Sequence, residues 1–141
     1  RDYDVTTNIW SVTSFNELAR NGNDVERQNR LHPEETRQKS YVELCLENTE
    51  GPVIAATDYM RLYAEQIRAY VPGRYSVLGT DGFGRSDTRA QLRKFFEVDH
   101  RYIATAALKA LADQEAVDQK TVADAIKNMQ IDADKPNPRM V

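Results

Sequence analysis

The chain has 141 residues, a formal net charge of −3 and a single cysteine. This length suits one domain that buries about 68 to 70% of its unfolded surface, so a core forms without a metal or disulfide. The acidic balance argues against nucleic acid and an anionic membrane as partners, because both normally require a basic face. A lone Cys45 forms no internal disulfide, and no apolar run reaches the roughly 20 residues of a membrane span, so we expect a cytoplasmic protein.

The first elements are predicted from β-rich and capping patterns. Residues 8–13 favour a strand, and Ser14 with Glu17 has the spacing of a capping box that opens a helix. Gly22 is expected to interrupt that helix, and a second helix is expected over residues 24–31. Because the chain lacks an initiator methionine and begins close to this strand, we expect it to be a piece of a longer polypeptide.

The middle of the chain contains the second strand and helix. Ser40 and Glu43 form another capping box for a short helix, and Val53 to Ala56 is a compact apolar strand. Asp58 is the expected cap of the most regular amphipathic helix. Its apolar positions are Met60, Tyr63, Ala64, Ile67 and Val71.

The third strand is predicted from Tyr75 to Thr80, and a helix follows from Arg89 to Phe96. Asp99 and Asp118 are expected to cap two further helices, and residues 132–141 form an extended tail. Alternating strands and helices indicate one α/β domain over residues 1–141, with a small, mostly parallel sheet flanked by helices. Such a sheet leaves an open edge, so we expect a partner chain or an upstream segment to add a strand.

The loop between the third strand and its helix is the most informative segment. Its glycines at 82 and 84 allow backbone angles that a Cβ excludes, and its other residues combine opposite charges with an aromatic ring. Arg85, Ser86 and the helix start could receive an anion, although Asp81 and Asp87 repel one. The alternative is structural: Asp87 or Thr88 caps the helix, Phe83 fills a core and Arg85 pairs with a carboxylate. Capping chemistry favours the structural interpretation.

Several familiar catalytic motifs are excluded. The loop has no Gly-Lys-Ser/Thr run of a P-loop and lacks the third glycine of a dinucleotide fingerprint. His32 and His100 have no further ligand at metal spacing, and no nucleophile pairs with a base at a recognisable distance. The tyrosines are expected to pack at element ends rather than to stack on bases. We therefore expect no catalytic, cofactor-binding or metal-binding residue here.

Five strings together carry a family resemblance that covers essentially the whole chain. They are WSVTSFNELAR at 10–20, ATDYM at 56–60, VLGTDGFGRSD at 77–87, FEVD at 96–99 and IDADKPNPR at 131–139. The chain resembles the carboxyl-terminal end of the bacterial homodimeric pyruvate dehydrogenase decarboxylase component. The long glycine-loop string makes this match specific.

The resemblance implies a large homodimeric enzyme that uses thiamine diphosphate and magnesium. That enzyme decarboxylates pyruvate and passes the acetyl group to the lipoyl group of a dihydrolipoyl acetyltransferase. This chain would be its third, transketolase-like domain, apparently without the first strand and helix of that domain. The family's cofactor ligands lie in upstream domains, so the segment alone is expected to be inactive and to bind neither cofactor.

Two functional hypotheses follow. In the first, the domain supports dimerisation and the active-site architecture, and its loop faces neighbouring domains. In the second, residues 81–88 form an independent module that binds an anion or an effector and regulates the enzyme. The loop residues in question are Asp81, Phe83, Arg85, Ser86 and Asp87.

Overall fold

The computed structural model describes residues 3–141. In chain order the helices are α1 (Phe15–Leu31), α2 (Tyr41–Leu46), α3 (Arg61–Glu65), α4 (Arg89–Phe95), α5 (His100–Ala112) and α6 (Gln119–Asn128), and a 3-10 turn spans Arg68–Tyr70. The strands are β1 (Val53–Ala56) and β2 (Tyr75–Leu78). They pair in parallel, with Val53 opposite Tyr75 and Ala56 opposite Leu78. The expected class, a small parallel α/β fold flanked by helices, is confirmed.

The sheet of the described residues has two strands, so the prediction of a strand at residues 8–13 is wrong. That segment has no regular structure, and the side chains of Ile9 and Trp10 are 92% and 55% exposed. A β-rich pattern favours a strand only where a neighbouring strand supplies backbone partners. Here β1 and β2 pair only with each other.

Helix α1 is continuous, so the prediction that Gly22 interrupts it is wrong. Gly22 is buried, and a Cβ at this position would lie 2.2 Å from Cε2 of the Tyr70 ring. The Tyr70 hydroxyl in turn donates to Asn23 Oδ1 at 2.7 Å. Glycine therefore serves the close approach of a ring to the helix, and the helix tolerates its lower propensity.

The long helix predicted after β1 is instead the short α3 followed by a 3-10 turn. The Tyr75 hydroxyl donates to the Ala64 carbonyl at 2.8 Å, and that carbonyl is the acceptor a continued helix would offer to the Arg68 amide. Arg68 Nη1 also donates to the Tyr75 carbonyl at 2.7 Å. Tyr75 of β2 thus occupies the Ala64 carbonyl, which α3 would need in order to continue as a helix.

Two hydrophobic clusters stabilise the described part of the chain. The larger contains Ala19, Val42, Leu46, Ala64, Ile67, Val71, Tyr75 and Val77, and it joins α1, α2 and α3 to β2. The smaller contains Leu108, Ala112, Val122 and Ala125 from α5 and α6, with Tyr3 and Val5 packed against it. The amino-terminal segment is therefore attached near α5 and α6, while its centre stays exposed.

Most predicted caps are confirmed. Ser40 accepts from the Glu43 amide while the Glu43 carboxylate accepts from the Ser40 amide, which completes the capping box. Ser14 caps α1, and Asp99 caps α5 by accepting from two amides. Asp118 occupies the cap position of α6 without a side-chain hydrogen bond. Helix starts were thus more predictable than helix lengths.

Candidate functional site

The loops that follow the two strands are locked together at one edge of the sheet. The strands are parallel, so their carboxyl ends meet at this edge. The Thr80 amide donates to the Tyr59 carbonyl at 2.9 Å, and the Thr80 hydroxyl donates to the Asp58 carbonyl at 2.9 Å. We call residues 79–87 the edge loop. Ligands of parallel α/β folds bind at edges of this kind.

Asp81 ties the edge loop to α3 and to the carboxyl-terminal tail. Its Oδ1 accepts from the Arg61 amide at 2.9 Å, while Met60, at the cap position of α3, makes no side-chain bond. Its Oδ2 lies 3.9 Å from Arg139 Nε. Asp81 therefore satisfies a helix-start amide from 20 residues away, which sequence analysis missed because no local pattern signals it.

Asp58, the predicted cap of that helix, has another role. Its carboxylate accepts from Arg93 Nε at 2.9 Å and from Arg93 Nη2 at 2.6 Å, and Arg89 Nη2 lies 3.8 Å away. The hydrogen bond from Arg93 is the main cause that holds the pKa of Asp58 below its usual value. The cap prediction is wrong because this bidentate pair to α4 takes the carboxylate instead.

The carboxyl-terminal tail packs directly on the edge loop. Gly82 has φ +117°, and a Cβ there would lie 2.8 Å from the Pro138 carbonyl oxygen. Lys135 Nζ donates to the Phe95 carbonyl, and Glu97 Oε1 lies 3.3 Å from the same nitrogen. The loop is therefore fixed between two segments of backbone, and any side chain larger than glycine at position 82 would disturb it.

The environments of Phe83 and Arg85 differ from those that the structural interpretation of the loop predicts. Phe83 is 79% exposed, so the prediction that it fills a core is wrong. The Arg85 guanidinium lies 4.0 Å from the centroid of the Phe95 ring, and no carboxylate of the described residues lies within ion-pair distance of it. The expected ion pair is thus replaced by a cation–π contact.

The helix-start part of that interpretation is confirmed. Asp87 Oδ1 accepts from the Thr88 amide at 2.7 Å, and Thr88 Oγ1 accepts from the Gln91 amide. Two donors that an anion at the start of α4 would need are therefore already occupied. An anion site on this helix start is disfavoured.

Large apolar side chains are exposed along this edge. Tyr59, Met60 and Leu62 are 67%, 49% and 68% exposed, and the Tyr59 ring stacks edge to face on Tyr63 with centroids 5.1 Å apart. Together with Phe83 we call Tyr59, Met60 and Leu62 the edge surface. Clustered exposed apolar residues at one end of a fold mark an interaction site more often than scattered ones do.

The predicted site residues separate into two groups. Asp81 faces α3 and the tail, and Phe83 is exposed on the edge surface. Arg85, Ser86 and Asp87 instead line a cleft of about 730 Å³ that α4, the start of α5 and residues 130–135 complete. The loop therefore has an outward side and a cleft side.

Metal-binding clusters and membrane-spanning helices are both absent from the described residues. Within residues 3–141, no cluster of three or more His, Cys, Asp and Glu side chains is arranged to hold a metal ion. None of the helices in that range is long and apolar enough to span a membrane.

A family model described as the transketolase-like TK C-terminal domain matches residues 1–99. The chain belongs to this family. The match includes both strands and the whole edge loop, so the sheet edge described above is a feature of a family member. The expected resemblance to a transketolase-like domain is confirmed.

Curated relatives make the relationship more specific. The chain is 57% identical over 141 residues to the pyruvate dehydrogenase E1 component of Cupriavidus necator. This alignment covers 100% of the chain and 16% of that protein. The protein of the same name from Pseudomonas aeruginosa is 58% identical over 138 residues, or 97% of the chain and 16% of its own length. The Escherichia coli K12 protein is 55% identical over 141 residues, or 99% of the chain and 16% of its own length. The chain thus spans about a sixth of these relatives.

Proposed function

We propose that this chain is the carboxyl-terminal domain of a thiamine-diphosphate-dependent pyruvate dehydrogenase of the acetyl-transferring type. The complete enzyme would decarboxylate pyruvate and reductively acetylate the lipoyl group of a dihydrolipoyl acetyltransferase in the cytoplasm. The observation that carries this proposal is the identity of 55 to 58% over at least 97% of the chain to pyruvate dehydrogenase E1 components. Residues 1–141 would form one domain of that enzyme, with 132–141 as its tail.

The contribution of this domain would be structural rather than chemical. Its described residues contain no cluster of three or more His, Cys, Asp and Glu side chains arranged to hold a metal ion, so Mg²⁺ does not fit here, and we assign Mg²⁺ and thiamine diphosphate to upstream domains. Thiamine diphosphate supplies the carbanion stabilisation that decarboxylation requires.

The edge surface supports a role in holding the homodimer and the active-site architecture together. The edge loop is fixed by Asp81 and by the tail contact at Gly82, yet it presents Phe83 at 79% exposure. Burying one such aromatic side chain contributes about 1.5 to 3 kcal/mol. A rigid loop with an exposed ring is suited to docking, because little conformational entropy is lost on contact. The neighbouring domains and the second subunit are the proposed partners.

The catalytic part of the proposal is tested by turnover of the full-length chain. The protein is supplied with thiamine diphosphate, Mg²⁺ and an artificial electron acceptor, and pyruvate is compared with 2-oxoglutarate. Turnover of pyruvate alone supports the assignment. Turnover of 2-oxoglutarate alone, or of neither acid, contradicts it.

The structural part is tested by Phe83→Ser in the same full-length protein, with Leu44→Ser as the matched control. Leu44 is 51% exposed on α2 and belongs to neither the edge loop nor the edge surface. We expect Phe83→Ser to weaken dimer association about tenfold or more in analytical ultracentrifugation, since 1.4 kcal/mol corresponds to a tenfold change. Leu44→Ser should leave association unchanged. Equal association constants for the two variants would reject the docking role of Phe83.

A further inference from the structure

The cleft on the inner side of the edge loop combines three consecutive segments, the edge loop, α4 and the start of α5, with the distant residues 130–135. The edge loop forms one wall and α4 another, while Tyr102 at the start of α5 and Ile131 before the tail complete it. Its volume of about 730 Å³ lies within the range of small-molecule sites, about 300 to 1,000 Å³. The proposed enzymatic function makes no use of this cleft.

The charges of the cleft differ in sign from those of the whole chain. Among residues 3–141, four cationic side chains line it, Arg85, Lys94, Arg101 and Lys135, and two carboxylates, Asp87 and Asp132. The whole chain has a net charge of −3. A concave site with an excess of positive groups concentrates anions even on an acidic protein.

Two of the four cations are already committed. Arg101 pairs with Asp99 at 2.5 Å, and Lys135 donates to the Phe95 carbonyl beside Glu97. Arg85 and Lys94 have no ion-pair partner among the described residues. These two side chains are therefore the ones that can neutralise a bound anion.

The contact between Arg85 and Phe95 prepares the guanidinium for that role. The guanidinium carbon lies over the Phe95 ring, 4.0 Å from the ring centroid. This contact holds the guanidinium in place, and its N–H groups donate no hydrogen bond to the other described residues. A planar fork of this kind matches two oxygens of a phosphate better than a lysine does.

Both carboxylates of the cleft are engaged with backbone. Asp87 Oδ1 accepts from the Thr88 amide at 2.7 Å, and Asp132 Oδ1 accepts from the Asp134 amide at 3.1 Å. Each of these hydrogen bonds from a backbone N–H stabilises the carboxylate in its position and reduces the repulsion between that carboxylate and an incoming anion. Leu92, Phe95 and Ile131 supply apolar wall between the charged groups.

We propose that this cleft binds a small organic phosphate. The phosphate is held by the Arg85 fork, the Lys94 ammonium and the Ser86 hydroxyl, and the organic part packs on Leu92, Phe95 and Ile131. This site differs from an anion on the start of α4, whose amides at Thr88 and Gln91 are already bonded to side chains.

The test is a calorimetric titration of the full-length protein with phenyl phosphate. Thiamine diphosphate is added first in an amount equal to the cofactor sites, with Mg²⁺, so that the phosphate probe does not compete for the cofactor site and no excess diphosphate occupies the cleft. We expect saturable binding, with inorganic phosphate about tenfold weaker because it lacks the apolar part, and with no binding of phenol. Phenol that binds as tightly as phenyl phosphate would overturn the proposal.

Variants assign the binding to the cleft. Arg85→Gln should weaken phenyl phosphate binding about tenfold or more and Lys94→Gln several-fold, because each removes a charge-assisted contact. Arg89→Gln is the matched control, since Arg89 lies on the same helix, is exposed and is not part of the cleft. Binding that is absent in the parent protein, or unchanged by Arg85→Gln, rejects the site. Pyruvate turnover should be the same whether or not the cleft binds phenyl phosphate, so failure of this proposal is distinguishable from failure of the proposed function.

Discussion

Residues 8–13 and strand β1 both favour a strand by their composition, yet only β1 forms one. Both are short runs rich in β-branched or apolar residues, and both precede a helix. All four residues of β1 pair in register with β2, whereas the described residues provide no partner strand for residues 8–13, and Ile9 there is 92% exposed. The difference shows that local β-propensity predicts a strand only where the fold supplies a neighbour.

The first experiment introduces a charge into each region and compares the loss of stability. Val77→Asp in β2 should cost more than about 4 kcal/mol of unfolding free energy, because Val77 is 2% exposed and its neighbours are apolar. Val12→Asp in the unpaired segment, where Val12 is 41% exposed, should change it by less than about 0.5 kcal/mol. Urea titration of both variants measures the difference. Similar losses in the two variants would refute the distinction between paired and unpaired segments.

A second experiment tests the packing of α1 against Tyr70. Gly22→Ala should destabilise the chain by about 1 to 3 kcal/mol, because the new Cβ meets the Tyr70 ring at 2.2 Å. In a Tyr70→Ala background the same change should be neutral or stabilising, since alanine has the higher helix propensity. Urea titrations of the four proteins give the coupling energy. A cost for Gly22→Ala that persists without the ring would contradict the packing role of Gly22.

A third and smaller effect concerns the bond that ends α3. Tyr75→Phe should cost about 1 kcal/mol at neutral pH, because it removes the buried hydrogen bond from the Tyr75 hydroxyl to the Ala64 carbonyl. Burial raises the pKa of Tyr75 from 10.0 to about 12. Between these values the unfolded side chain ionises while the folded one stays protonated, so its stabilisation is complete below pH 10 and falls as the pH rises.

The stability gap between parent and Tyr75→Phe should therefore shrink above pH 10 and change sign by pH 12, where Tyr75→Phe becomes the more stable protein. Thermal unfolding at a series of alkaline pH values measures it. The other tyrosines are present in both proteins, so their titration cancels in the difference. A gap that stays constant over this interval would show that Tyr75 is not held in its protonated form.

Features encoded within a few residues were predictable, and those that depend on distant residues were not. The Ser40 capping box, the Thr88 and Asp99 caps and strand Val53–Ala56 follow from short-range patterns, and the structure contains them. The presence of glycine within α1 is explained by the close approach of the Tyr70 ring, and the end of α3 by the hydrogen bond from Tyr75. No pattern around position 22 or position 65 indicates either contact.

The edge loop shows the same division. Its glycines and the cap at Thr88 were visible in the sequence, but the contacts of Asp81 with Arg61 and of Gly82 with Pro138 join segments that lie far apart along the chain. An aromatic residue between two glycines suggests a buried anchor, whereas Phe83 is exposed. Only the tertiary arrangement separates the outward side of the loop from its cleft side.

The most direct test of the account is the accessibility of Phe83 in the complete enzyme. Hydroxyl-radical footprinting compares its oxidation rate in the full-length dimer with that in the 141-residue chain, with Leu44 as the reference for a surface that the account leaves free. We expect the oxidation rate of Phe83 to be several-fold lower in the dimer and the oxidation rate of Leu44 to be unchanged. Equal rates for Phe83 in the two proteins would contradict the claim that the edge surface is a docking surface.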